Sequence, residues 1–159
     1  MRKNLIGAAA TTQARGLRKQ EWLDIETVAR VELTSEDPKF PIESALVSAK
    51  EPGWRAAEKG EQIIRIVFDE RIDLMRIRLE FSETENDRTQ EFTLRYRTET
   101  DGPLNEIVRQ QWVFSPRGST MEIEDYQVHL NGVSVLELAV KPDLTPDNAL
   151  ASLALWRMA

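Results

Sequence analysis

The chain has 159 residues, 41% of them hydrophobic, which suits one domain with a buried core and excludes a disordered chain. It has no cysteine, which excludes a disulfide framework and a thiolate zinc site and fits a reducing compartment such as the cytoplasm. The net charge of −6 is uneven: the first 20 residues carry Arg2, Lys3, Arg15, Arg18 and Lys19 and no acid, leaving 16 basic and 27 acidic residues in the rest. An acidic body argues against nucleic-acid binding as the main activity. No apolar run approaches the ~20 residues of a membrane span. The run Leu5 to Ala10 is shorter than the ~7–15 apolar residues of an export signal.

In chain order, residues 1–24 are expected to form a basic arm. The end of Glu21 to Leu33 alternates Ala29, Val31, Leu33 against Arg30, Glu32, Thr34, so a strand is expected from about Thr27. A helical turn is compatible with its beginning. Ser35 to Pro41 carries two prolines and reads as a turn. Ile42 to Ala49 suits a short helical turn, and Glu51-Pro52-Gly53 a further turn before Trp54 and Arg55. In Gln62 to Phe81 apolar residues fall on every second position, at Ile64, Ile66, Phe68 and again at Ile77, Leu79, Phe81. That period predicts two strands, with the polar Asp69 to Asp73 as the turn between them.

After the polar loop Ser82 to Arg88, strands are expected at Thr89–Arg97, Glu106–Phe114, Thr120–Leu130 and Val133–Val140. Asn131-Gly132 is the strongest hairpin signal in the chain. Ala149 to Met158 suits a buried strand or a short helix. About eight strands at intervals of roughly ten residues predict an all-β antiparallel β-sandwich, or jelly roll, over residues 25–159.

The order of these pieces resembles the discoidin, or coagulation factor 5/8 type C, family of galactose-binding-like jelly rolls. The resemblance rests on Pro41 to Leu46 with Gly53-Trp54-Arg55, on Gln62–Phe68 with Met75–Phe81, on Arg88–Arg97 and on Ala151–Trp156. The chain is also similar to stand-alone bacterial proteins described as carbohydrate-binding. The resemblance implies a sandwich whose loops at one end bind sugars, phospholipid head groups or protein surfaces. Many relatives hold a structural calcium with an acidic residue before the tryptophan and a glutamate in the last strand. The matching positions here are Val47 and Leu155, so no calcium or other cofactor is expected.

Trp54 is the first candidate for a sugar-stacking platform, because an aromatic face packs against the C–H face of a pyranose. Trp112 shares strand parity with Val108 and Phe114, which places it in the core. Arg55, Arg88 and Gln90, followed by Arg109 and Gln111, offer planar bidentate hydrogen bonding to hydroxyls. The competing reading of Arg88 and Gln90 is an internal polar network, since both share parity with Phe92. Glu80, Glu83, Glu85 and Asp87 form an acidic cluster, and a glycosidase would need two such carboxylates about 5–10 Å apart across a groove. The lone His129 has no serine motif beside it. The expectation is a non-catalytic module with a carbohydrate partner. A scaffolding subunit with a protein partner is the alternative, and a glycoside-processing enzyme comes third.

Overall fold

A computed structural model of the protein describes residues 22–47, 52–145 and 148–159. The basic arm expected over 1–24 therefore lies almost wholly outside the described residues. A helical turn α1, Ile25–Val28, leads into β1, Ala29–Leu33. A second helical turn α2, Glu43–Leu46, follows, and then β2, Trp54–Lys59. The remaining strands are β3 (Gln62–Ser82), β4 (Arg88–Arg97), β5 (Asn105–Phe114), β6 (Met121–Lys141), β7 (Leu150–Leu153) and β8 (Leu155–Met158).

Two strands of 21 residues, β3 and β6, organise the molecule. The first half of β3 pairs with β1 and with the last half of β6, which also pairs with β4. Strand β5 closes that layer beside β4. The second half of β3 pairs with the first half of β6 on one side and with β8 on the other. The same two strands thus belong to both layers, and every pairing is antiparallel. Phe81 of β3 and Phe92 of β4 stack across the layers at 5.3 Å between ring centroids.

This arrangement corrects two expectations. Asp69 to Asp73 is not a turn between two strands but the bend of one. Asn131-Gly132 does not make a hairpin; it lies inside β6, at the same level. The pairing slips three times between Val67 and Arg76, where Ile72 pairs with Val133 and Leu74 with Leu130. Bulges of this kind bend a strand and increase its twist, which lets a long pair pass from one layer to the other. They also explain why inward residues change from even numbers, Ile64 to Phe68, to odd ones, Ile77 to Phe81. Gly132 has φ +65°, and its N–H donates to Asp73 Oδ1 at 2.8 Å, which joins the two bends.

The ends of the fold are tied to its centre. Trp54 and Trp156 are both fully buried. Ala149–Met158 forms two short strands broken at Ala154, whose N–H donates to the Glu80 carbonyl. Leu23 N–H donates to the Met158 carbonyl, so the chain enters beside the closing strand. Among the described residues no helix is long and apolar enough to cross a membrane.

Candidate functional site

A cleft of about 550 Å³ opens at one end of the sandwich. One wall is β2 with β7, where Arg55 stands opposite Ser152 and Lys59 opposite Leu150. The other wall is the loop Ser82–Asp87 with Arg88, and Asp143, Asn148 and Ala149 complete the rim. Among the described residues no aromatic side chain lines it.

The loop is shaped by Glu83. Its carboxylate accepts the backbone N–H groups of Glu85 at 3.0 Å and Asn86 at 3.2 Å, and Arg88 Nε at 2.7 Å. Burial by itself would push Glu83 up, yet Arg88 and those N–H groups outweigh it and hold the carboxyl below its usual range. Arg88 is the pin of the whole end. Its Nη1 donates to the Pro142 carbonyl at 2.8 Å and to Gln90 Oε1 at 3.0 Å, and its guanidinium lies 4.7 Å from the Phe114 ring centre. Arg55 stacks its guanidinium on Phe40 at 4.6 Å and stays exposed.

The sequence-based candidates separate into three groups. Arg55 and Arg88 meet at the cleft, as the convergence of strand ends suggested. Trp54 and Gln90 lie beneath the surface, each with 0% exposure. A buried ring has no face for a sugar, and the Trp54 indole N–H is spent on the Ser35 carbonyl at 3.2 Å. Gln90 donates instead to Glu122 Oε1 at 3.1 Å. Arg109 and Gln111 sit on the outer face of β5, where both donate to Glu91, at 3.4 and 2.9 Å. They are not part of the cleft.

The acidic cluster also divides. Glu83, Glu85 and Asp87 line the cleft, whereas Glu80 accepts from Arg78 Nε at 2.9 Å on the outer face of β3. Sequence reasoning missed Lys59, Asp143, Asn148 and Ser152. Lys59 and Asp143 had only their position beside Gly60 and Pro142 as a signal, and Ser152, inside β7, had none. It also missed Glu122, which is in phase with the inward residues Tyr126, Val128 and Leu130. Glu122 is fully buried, and burial together with the adjacent Glu124 pushes it up to about 8.

The calcium site implied by the resemblance does not fit the residues present. Val47 and Leu155 bring no carboxylate. Instead the Arg157 guanidinium of β8 donates to the carbonyls of Ala45, Leu46 and Val47, at the end of α2, and to that of Trp156. The end of α2 is thus tied to a tethered cation, and among the described residues no group of three or more His, Asp or Glu could hold a metal.

No family model and no curated protein matches the sequence. Solved structures do. The third CBM32 module of a family 31 glycoside hydrolase from Clostridium perfringens has TM-score 0.64 at 19% identity, covering 87% of this chain and 94% of that one. The fifth CBM32 module of an enzyme of the same organism, solved with GalNAc-β-1,3-galactose, has TM-score 0.59 at 16% identity, covering 82% and 94%. Reduced XRCC1 bound to the catalytic domain of DNA polymerase β has TM-score 0.59 at 13% identity, covering 83% and 97%. The chain therefore has the discoidin-like, galactose-binding-like jelly-roll fold. At these identities the likeness settles the fold and leaves the ligand to the site.

Proposed function

We infer that the protein is a non-catalytic binding module that holds a carbohydrate in the cleft between β2 and the Ser82–Asp87 loop. The observation that carries this reading is the cleft itself: an open, polar concavity at the loop end, braced from behind by Arg88 and Trp54. Arg55, Lys59, Asn86 and Asn148 supply planar and charged donors there, and Glu85, Asp87 and Asp143 supply acceptors. That mixture matches the alternating donors and acceptors of a ring of hydroxyls. A site without an aromatic platform binds through hydrogen bonds, so weak affinity with well-defined orientation is expected. The neighbours that are carbohydrate-binding modules, one solved with a galactose-containing disaccharide, support the same reading.

Catalysis is disfavoured by how the carboxylates are used. Glu83 is committed to Arg88 and two backbone N–H groups, and Glu85 and Asp87 share its loop rather than facing it. The absence of cysteine supports a reducing compartment, the cytoplasm. A scaffolding role with a protein partner is the second reading, favoured by the edge of β5, which pairs with no further strand among the described residues, and by the exposed Val113 and Ile123.

A glycan array followed by calorimetry tests the first reading. Arg55→Ala and Lys59→Ala should each weaken the best sugar by about tenfold or more, as expected for loss of a charged hydrogen bond, with melting temperature unchanged. Binding that survives both substitutions, or an array with no hits beside a partner recovered by pull-down and confirmed with purified components, would move the function to the second reading.

A further inference from the structure

Behind the cleft lies a buried acid that the binding reading does not use. Glu122 is 0% exposed. Its Oε1 accepts from Gln90, and its Oε2 accepts from no donor among the described residues. The next residue on its own strand face is a second acid, Glu124, two positions along β6. A fully buried carboxyl with one oxygen lacking a donor and a second acid beside it is costly as an anion, which favours the protonated form of Glu122.

The surroundings offer little else. From β6 the titratable groups facing Glu122 are Glu124 and Tyr126. From β4 there is Arg88, with Gln90 between, and beyond it Glu83 of the loop. Strand β3 presents Phe81 opposite Glu122, and β5 presents Phe114 against Arg88. An unbroken run of hydrogen bonds thus joins Glu122 to the cleft: Glu122 to Gln90 at 3.1 Å, Gln90 to Arg88 at 3.0 Å, Arg88 to Glu83 at 2.7 Å.

We propose that the proton on the buried Glu122 carboxyl sets the position of Arg88, and through Glu83 the shape of the Ser82–Asp87 wall of the cleft. With the proton in place, Gln90 bridges a neutral acid to Arg88, and Arg88 is fully available to Glu83 and Pro142. When the proton leaves to solvent, a buried anion is left with Gln90 as its donor. The cation that approaches this anion is Arg88, at the far side of Gln90. Arg88 is then shared between Glu122 and Glu83, and the carboxylate that organises the loop loses part of its partner. The cleft wall loosens as pH rises. This device rests on the reading of the cleft as the binding site, but the relay itself is a property of the free protein.

The test is a pH titration of the labelled full chain by NMR, from about pH 5 to about pH 9.5, following the Glu122 carboxyl carbon and the Arg88 Nε–H signal. The Glu122 midpoint is expected at about 8. The Arg88 signal should move with the same midpoint. Glu122→Gln, which keeps shape and hydrogen bonding, should flatten the Arg88 response. Glu124→Gln should lower the Glu122 midpoint by about a unit or more, because an amide can donate to the anion. If Glu122→Gln does not fold, coincidence of the two wild-type midpoints and the Glu124→Gln shift decide the matter. A Glu122 midpoint in the ordinary carboxylate range, or an Arg88 signal that ignores it, overturns the relay. The sugar panel is run beside it at both pH extremes. An Arg88 signal that follows the proton while no sugar binds at either pH would sink the carbohydrate reading and leave the relay standing.

Discussion

Replacing Arg157 with methionine keeps most of the aliphatic stem and removes the guanidinium. That group donates to Ala45 at 3.1 Å, to Leu46, to Val47 at 3.1 Å and to Trp156 at 3.4 Å. Burial lowers the Arg157 pKa, the mark of a cation that has given up water for these carbonyls. Hydrogen bonds to a charged group are each worth about 1.5–3 kcal/mol. They do not add, because the Trp156 contact is long and one guanidinium divides its charge among four carbonyls. A net loss of about 2–4 kcal/mol is therefore expected. At roughly 2–4 °C per kcal/mol for a domain of this size, the melting temperature should fall by about 5–15 °C. Arg157→Lys should lie between, since a point charge cannot span three successive carbonyls. The assay is thermal unfolding followed by circular dichroism, with calcium or chelator added in parallel. Wild-type melting should be indifferent to both, because a ligand that binds the native state must raise its stability. An Arg157→Met protein within about 0.5 kcal/mol of wild type would refute the carbonyl clamp. A calcium-dependent rise in the wild type would refute the reading that the residues present do not fit the metal.

Trp54→Ala should cost about 3–5 kcal/mol by denaturant unfolding, whereas Trp54→Phe, which loses mainly the bond to Ser35, should cost about 1–2 kcal/mol. A Trp54→Ala protein of normal stability that lost sugar binding would restore the ring as a platform. Gly53→Ala should be far worse than Gly132→Ala, although both glycines have positive φ. A Cβ at Gly53 would sit 2.3 Å from the Leu153 carbonyl oxygen, while one at Gly132 meets only Arg71 at 3.8 Å. Equal melting temperatures for the two variants would contradict this. Stability should also decline as pH rises from about 4.5 towards 8, because Glu122 binds its proton more tightly folded than unfolded, so its favourable contribution is complete only below its unfolded pKa. Glu122→Gln should remove that slope in melts taken across the range; a slope unchanged by the substitution would assign it to other groups.

The period-two pattern of Ile64, Ile66, Phe68 and of Ile77, Leu79, Phe81 determined the strands, their inward faces and the all-β class, because alternation is a local consequence of the pleat. Turn chemistry was less decisive. Asn131-Gly132 favours a tight hairpin locally, but β3 running the full length of β6 supplies a continuous partner across that point. The positive φ of Gly132 is used for a bulge instead. That Arg55 and Arg88 would come together at one rim was legible because they flank strand ends that a sandwich gathers there. The fate of Trp54 was not legible: the same Gly-Trp-Arg could point its ring outward or inward, and only packing against the closing strands turned it in. Glu122, Arg157 and the pairing of Arg109 and Gln111 with Glu91 were likewise decided by tertiary structure. Each depends on strands far apart in sequence meeting at a particular register, and no local pattern encodes which carboxylate or carbonyl will face a given charge.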